Sequence, residues 1–150
     1  MKRQQLLLLI LAFGVFSILN TEMGIIGILP MAAEMYQVDI VQAGMLVSLF
    51  ALGVAIAGPT MPLLFSRFNR KHVMLLVLGV FTICNALAVV ASDFQLLLVL
   101  RVVPAFFHPV YCALAFSVAA ASVAPEDAPR AVARINMGVA AGMVVGVPIS

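Results

Sequence analysis

Long apolar stretches separated by short polar breaks set the pattern of this chain. They cover about residues 5–29, 41–65, 72–91, 94–123 and 131–150. Each is close to the roughly 20 apolar residues that a helix needs to cross the hydrocarbon core of a bilayer. The connections are short, so neighbours in sequence become antiparallel neighbours in space. The pattern predicts an all-α membrane protein with five spanning helices, the fifth cut at Ser150. The opening Met-Lys-Arg-Gln-Gln resembles the start of a secretory signal, but the apolar run behind it continues to about Leu29. A signal core has about 7–15 residues, so this segment is expected to stay as a first span.

The basic residues orient the chain. Lys2 and Arg3 precede the first span, Arg67, Arg70 and Lys71 follow the second, and Arg130 and Arg134 follow the fourth. The alternate connections hold Glu34, Asp39 and Asp93 and no Lys or Arg. By the positive-inside rule the N-terminus is cytoplasmic, in a multi-pass protein of the cytoplasmic (inner) membrane.

Composition agrees with this picture and removes other classes. Hydrophobic residues make up 65% of the chain and charged residues 9%, against about 25% charged in soluble domains. A net charge of +2 gives no basis for a nucleic-acid partner. Cys84 and Cys112 lie in apolar runs, where a thiol packs as a small hydrophobe. No disulfide framework, metal-ligand spacing or cofactor motif is visible. The chain has no Gly-x-x-x-x-Gly-Lys-Ser/Thr phosphate loop and no extramembrane Ser/His/Asp set, so it reads as a carrier rather than an enzyme.

The chemistry is expected inside the membrane. Glu22 lies about 12 Å below the outer surface at 1.5 Å rise per residue, and Arg101 about 10 Å below it. An intramembrane charge is expensive and usually faces a cavity. At matched depth the two could partner across a central cavity, or hold two helices together as a static pair. Burial and a neighbouring guanidinium act oppositely on a carboxylate's proton affinity. Asn20 and Thr21 adjoin Glu22, and Asn85 lies on the third span. These are cavity-lining candidates, with interhelical hydrogen bonding as the alternative. His108 stands mid-span between Pro104 and Pro109, either as a proton relay or as a satisfied interior histidine. The two prolines predict a kinked fourth span, and Pro59 and Pro62 a similar disturbance in the second. In the fifth span Gly138, Gly142 and Gly146, followed by Pro148, line one helix face and permit close backbone approach.

Four places resemble the major facilitator superfamily, in its drug/proton antiporter branch of sugar, nucleoside and drug exporters. Asn20-Thr21-Glu22 with Gly27-Ile28-Leu29-Pro30 is similar to that branch's Gly-Thr-acid-acid-Phe run followed by Gly-Leu-Leu-Pro. Arg67, Arg70 and Lys71 match the basic positions of the family's loop signature, whose Gly, acid and second Gly are here Pro62, Ser66 and Asn69. Leu100-Arg101-Val102-Val103-Pro104 is similar to an Arg-x-x-Gln-Gly motif, with Pro104 and Ala105 at the last two positions. Gly138 to Pro148 is similar to the antiporter motif of the fifth helix.

The resemblance implies twelve helices in two six-helix halves, with residues 1–150 as a partial N-terminal half. It implies a secondary active transporter, a proton-coupled efflux carrier for a small organic solute or drug, with no cofactor. Glu22 would bind the proton and Arg101 would tune it. Arg67, Arg70 and Lys71 would form a gating loop, and the fifth-helix glycines would pack against a helix beyond Ser150. The partners implied are the substrate, protons, the bilayer and the C-terminal helices of the same protein. A solute importer or uniporter of the same fold, and a non-transporting membrane structural subunit, are the alternatives.

Overall fold

The structure, a computed structural model, describes residues 2–149. Ser150, the last residue of the expected fifth span, lies outside the described residues, as do the side chains of Lys2 and Ile149. The helices in order are α1 (Lys2–Gly27), α2 (Leu29–Met35), α3 (Ile40–Ala43), α4 (Met45–Phe65), α5 (Arg70–Val89), α6 (Phe94–Ala121) and α7 (Ala128–Ile149). A 3-10 turn at Pro125–Asp127 precedes α7. Among the described residues, five stretches are long and apolar enough to cross a membrane: Arg3–Gly27, Ile40–Phe65, Arg70–Val89, Phe94–Ala121 and Pro125–Pro148.

The breaks fall at other places than the prolines. α6 runs uninterrupted through Pro104 and Pro109, and α4 through Pro59 and Pro62. Neighbouring helices can hold such a ring in a continuous helix inside a membrane bundle. The chain breaks instead at Ile28, just before Pro30 in the first turn of α2, where a missing N–H leaves no helix bond unmade. Gly44 separates α3 from α4 within the second span.

Side-chain caps start three helices. Asp39 accepts from Ile40 N at 2.8 Å and shares a capping box with Gln42. Asn69 accepts from Lys71 N at 3.0 Å, and Asp93 accepts from Leu96 N at 2.8 Å. Asp93→Ala is expected to lower the unfolding free energy by about 1 kcal/mol, within the usual 0.5–2 kcal/mol for a lost cap, while Asp93→Asn stays near wild type. Denaturant titration of the detergent-solubilised protein checks both. Equal loss in the two variants would show that charge, and not capping, matters there.

The helices pack along narrow stripes. Leu46, Phe50, Gly53 and Ala57 are the buried positions of α4, and Val73, Val77, Phe81 and Cys84 those of α5. These three- and four-residue steps are the seam of helices that cross at shallow angles. The main pairings are α1 with α7, α4 with α6, and α5 with α6. Two hydrogen bonds tie the ends. Gln4 Nε2 donates to Ser122 O at 3.0 Å on the side of the N-terminus. Tyr36 Oη donates to Ala91 O at 3.1 Å on the far side.

Candidate functional site

α6 brings Arg101 and His108 to Glu22 from one face, because residues seven apart lie two turns along the same stripe. Arg101 Nη2 donates to the main-chain carbonyl of Glu22 at 2.9 Å. The Glu22 carboxylate faces a different partner: its Oε2 lies 3.3 Å from His108 Nε2. Arg101 makes no ion pair within 4.0 Å among the described residues. The expected pairing of Glu22 with Arg101 is therefore a side-chain-to-backbone bond, with the imidazole opposite the carboxylate.

Helix direction explains the exchange of partners. Side chains lean toward the N-terminus of their own helix. On α1 this sends the carboxylate back into the bundle, away from the main chain that Arg101 reaches. α6 runs the other way, so His108 leans up from a deeper turn and comes level with the carboxylate.

Phe50 of α4 completes the cluster. The Arg101 guanidinium carbon lies 5.0 Å from its ring centroid, and the His108 ring meets it edge-on at 6.1 Å. Phe50 is 2% exposed. A desolvated cation over a buried ring is worth about 2 kcal/mol, enough to fix where the guanidinium sits. Cys112 Sγ lies 3.9 Å from His108 Nε2. Three buried polar atoms here lack a hydrogen bond, Glu22 Oε2, His108 Nδ1 and Arg101 Nε, as does Asn20 Oδ1 on the stretch of α1 that meets Gly142 and Gly146 of α7. The Glu22–His108 approach is thus short enough for charge pairing but off line for a hydrogen bond. No sequence signal marks Phe50 among the 10 phenylalanines of the chain.

Beside this cluster lies a cavity of about 350 Å³ between α1, α2, α5 and α6. Its polar wall is Thr21, Asn85 and Arg101, and Ile25, Tyr36 and Leu97 belong to the rest. Thr21 Oγ1 donates to Ser17 O at 2.9 Å and Asn85 Nδ2 to Phe81 O at 2.8 Å. The Thr21 donor is spent on its own helix, whereas Asn85 uses one of its two amide hydrogens there, so both side-chain oxygens and one Asn85 N–H stay available to a ligand in the cavity. Neither Glu22 nor His108 is on this wall; Arg101 is common to the wall and the cluster.

The other sequence-selected residues lie elsewhere. Arg67, Arg70 and Lys71 are exposed at the α4–α5 turn on the side of the N-terminus. Arg70 and Lys71 border a cleft of about 610 Å³ with Leu7 and Tyr111. The α7 glycines meet α1. A Cβ on Gly138 would stand 2.5 Å from Ala12 O, one on Gly142 2.8 Å from Phe16 O, and one on Gly146 3.0 Å from Asn20 O. Their four-residue spacing is matched on α1, so two ridges of equal pitch run together. Pro148 stands in the last turn of α7.

Comparison with known proteins agrees with this architecture. The family model described as Major Facilitator Superfamily matches residues 11–150. The chain is 36% identical over 141 residues to the "Inner membrane transport protein YdhP" of Escherichia coli (strain K12), covering 94% of this chain and 36% of that protein. It is 35% identical over 141 residues to the "Uncharacterized MFS-type transporter YtbD" of Bacillus subtilis (strain 168), with the same coverage. To the "Putative transporter AraJ" of Escherichia coli (strain K12) it is 30% identical over 142 residues, 95% of this chain and 36% of that protein. The chain thus spans about a third of the length of these relatives. No solved structure matches.

Proposed function

The chain belongs to the major facilitator superfamily, and on that premise we propose that it supplies most of the N-terminal six-helix half of a proton-coupled exporter. The whole protein has twelve helices and sits in the cytoplasmic membrane with its N-terminus inside the cell. It moves a small organic solute outward as protons move in, alternating between states open to either side of a midplane site.

The observation that carries this reading is the placement of Arg101. It forms part of the cavity wall with Thr21 and Asn85, and it also binds the main chain of Glu22 behind that wall. A solute in the cavity then touches the residue that sits beside the carboxylate. Glu22 is the proton-binding group, and Arg101 tunes it through its charge. Asn20, Thr21 and Asn85 contribute polar groups to the substrate region. Arg67, Arg70 and Lys71 form the cytoplasmic gating loop. Gly138, Gly142, Gly146 and Pro148 keep α7 close to α1.

Everted membrane vesicles that contain the full-length transporter test the exchange. Sugars, nucleosides and cationic drugs are added in turn after the vesicle interior has been acidified. At least one is expected to release protons from the lumen, read with a pH-sensitive dye. Solute uptake without proton release would favour a uniporter, and silence with every class would count against antiport.

A further inference from the structure

Glu22 and His108 are two titratable groups placed on different helices at ion-pair distance, 3.3 Å between Oε2 and Nε2. Their side chains are 20% and 13% exposed, respectively. Neither Oε2 nor Nδ1 has a hydrogen-bond partner. With the neutral imidazole protonated on Nδ1, the Nε2 lone pair faces the carboxylate and the two acceptors repel each other, whereas the other tautomer places an N–H there; the further contact at Nε2 is Cys112 Sγ at 3.9 Å. A proton between Oε2 and Nε2 removes that repulsion and makes a charge-assisted bond. The terminal torsion of a glutamate is soft, so bringing Oε2 into line takes little energy.

The surroundings leave the pair few competitors. On α6 the other ionisable groups nearby are Arg101, Tyr111 and Cys112. α4 contributes the Phe50 ring and has no titratable side chain along its length. α5 has only Cys84 beyond its first turn, and α7 none beyond Arg134. Arg101 is held by the Glu22 carbonyl and the Phe50 ring. Its positive charge therefore stays in place whether or not the carboxylate carries a proton.

We propose that Glu22 and His108 form one shared proton site, in which a single proton bound between Oε2 and Nε2 is the transported proton. This rests on the exporter reading and adds His108 as the second half of its coupling group. The proton arrives from water on one face of the membrane. It is held by the pair and leaves to water on the other face, and only O–H and N–H bonds change.

The test needs no transported solute. The full-length protein, reconstituted in phosphatidylcholine vesicles with imidazole-labelled histidine, is titrated with acid. The protonated-carboxyl infrared band reports Glu22, assigned by its loss in Glu22→Gln. Nitrogen NMR reports His108, assigned by its loss in His108→Gln. In the wild type both signals are expected to change with one common midpoint. In His108→Gln the midpoint of the Glu22 band is expected to move by a tenfold change in proton concentration or more. A His108 signal that stays constant while Glu22 titrates would overturn the proposal, and this measurement needs only the wild type. So would an unmoved Glu22 midpoint in a folded His108→Gln. Either result leaves the exporter reading standing, since that reading fails separately if Glu22→Gln still drives solute uphill.

Discussion

Glu22→Gln is expected to abolish uphill export while leaving the protein folded and able to pass solute downhill. The side chains have the same shape, and the bond from Arg101 survives because it ends on the main-chain carbonyl of residue 22. What is removed is the exchangeable proton together with the carboxylate's negative charge. One elementary charge moved through 100 mV is worth about 2.3 kcal/mol, so an exchanger of one proton for one uncharged solute sustains a solute gradient of ~50-fold at that potential. The variant's gradient should collapse to about unity. Steady-state accumulation in energised everted vesicles, set beside counterflow of the same solute without a gradient, separates the two quantities. A variant that still accumulates solute would remove Glu22 from the coupling role. Loss of counterflow as well would place the carboxylate in solute binding.

The position of that carboxylate was legible in the sequence, but its partner was not. One acid inside an apolar run is conspicuous, and counting turns puts it at the depth of Arg101. Depth alone says nothing about where a side chain leans. The lean of α1 and α6 side chains toward opposite ends sets Glu22 against His108 and gives Arg101 the main chain. That five helices of the described residues are long and apolar enough to span was legible, because the requirement for about 20 apolar residues is strict. Pro104 and Pro109 leave α6 unbroken, as a bundle can hold such rings in a continuous helix, whereas the breaks at Ile28 and Gly44 gave no comparable signal. Phe50 illustrates the remaining gap. Its role comes from lying between two side chains of another helix, and no local pattern encodes that.

Gly138→Val is expected to disrupt the fold more than any change in the polar cluster. The glycine ridge of α7 was legible from its spacing, yet the helix it meets is α1. A Cβ at residue 138 would stand 2.5 Å from Ala12 O, with Ala12 C and Cα at 3.1 and 3.2 Å. These are backbone atoms, so no side-chain rotation relieves the contact and the two helices must separate. Separation would also loosen the contacts at Gly142 and Gly146 along the same ridge. Overpacking usually costs about 1–3 kcal/mol where side chains can adjust. A rigid backbone contact repeated along the ridge should put Gly138→Val at or above the upper end. Gly58 and Gly79 are built-in controls, because a Cβ at either meets nothing within 4 Å. At those sites alanine should be neutral or stabilising, since it favours a helix over glycine by about 1 kcal/mol. Thermal unfolding of the solubilised variants by size-exclusion fluorescence gives the comparison. If Gly138→Val melted with Gly58→Ala, the close approach of α1 and α7 would not be what holds this half of the bundle together.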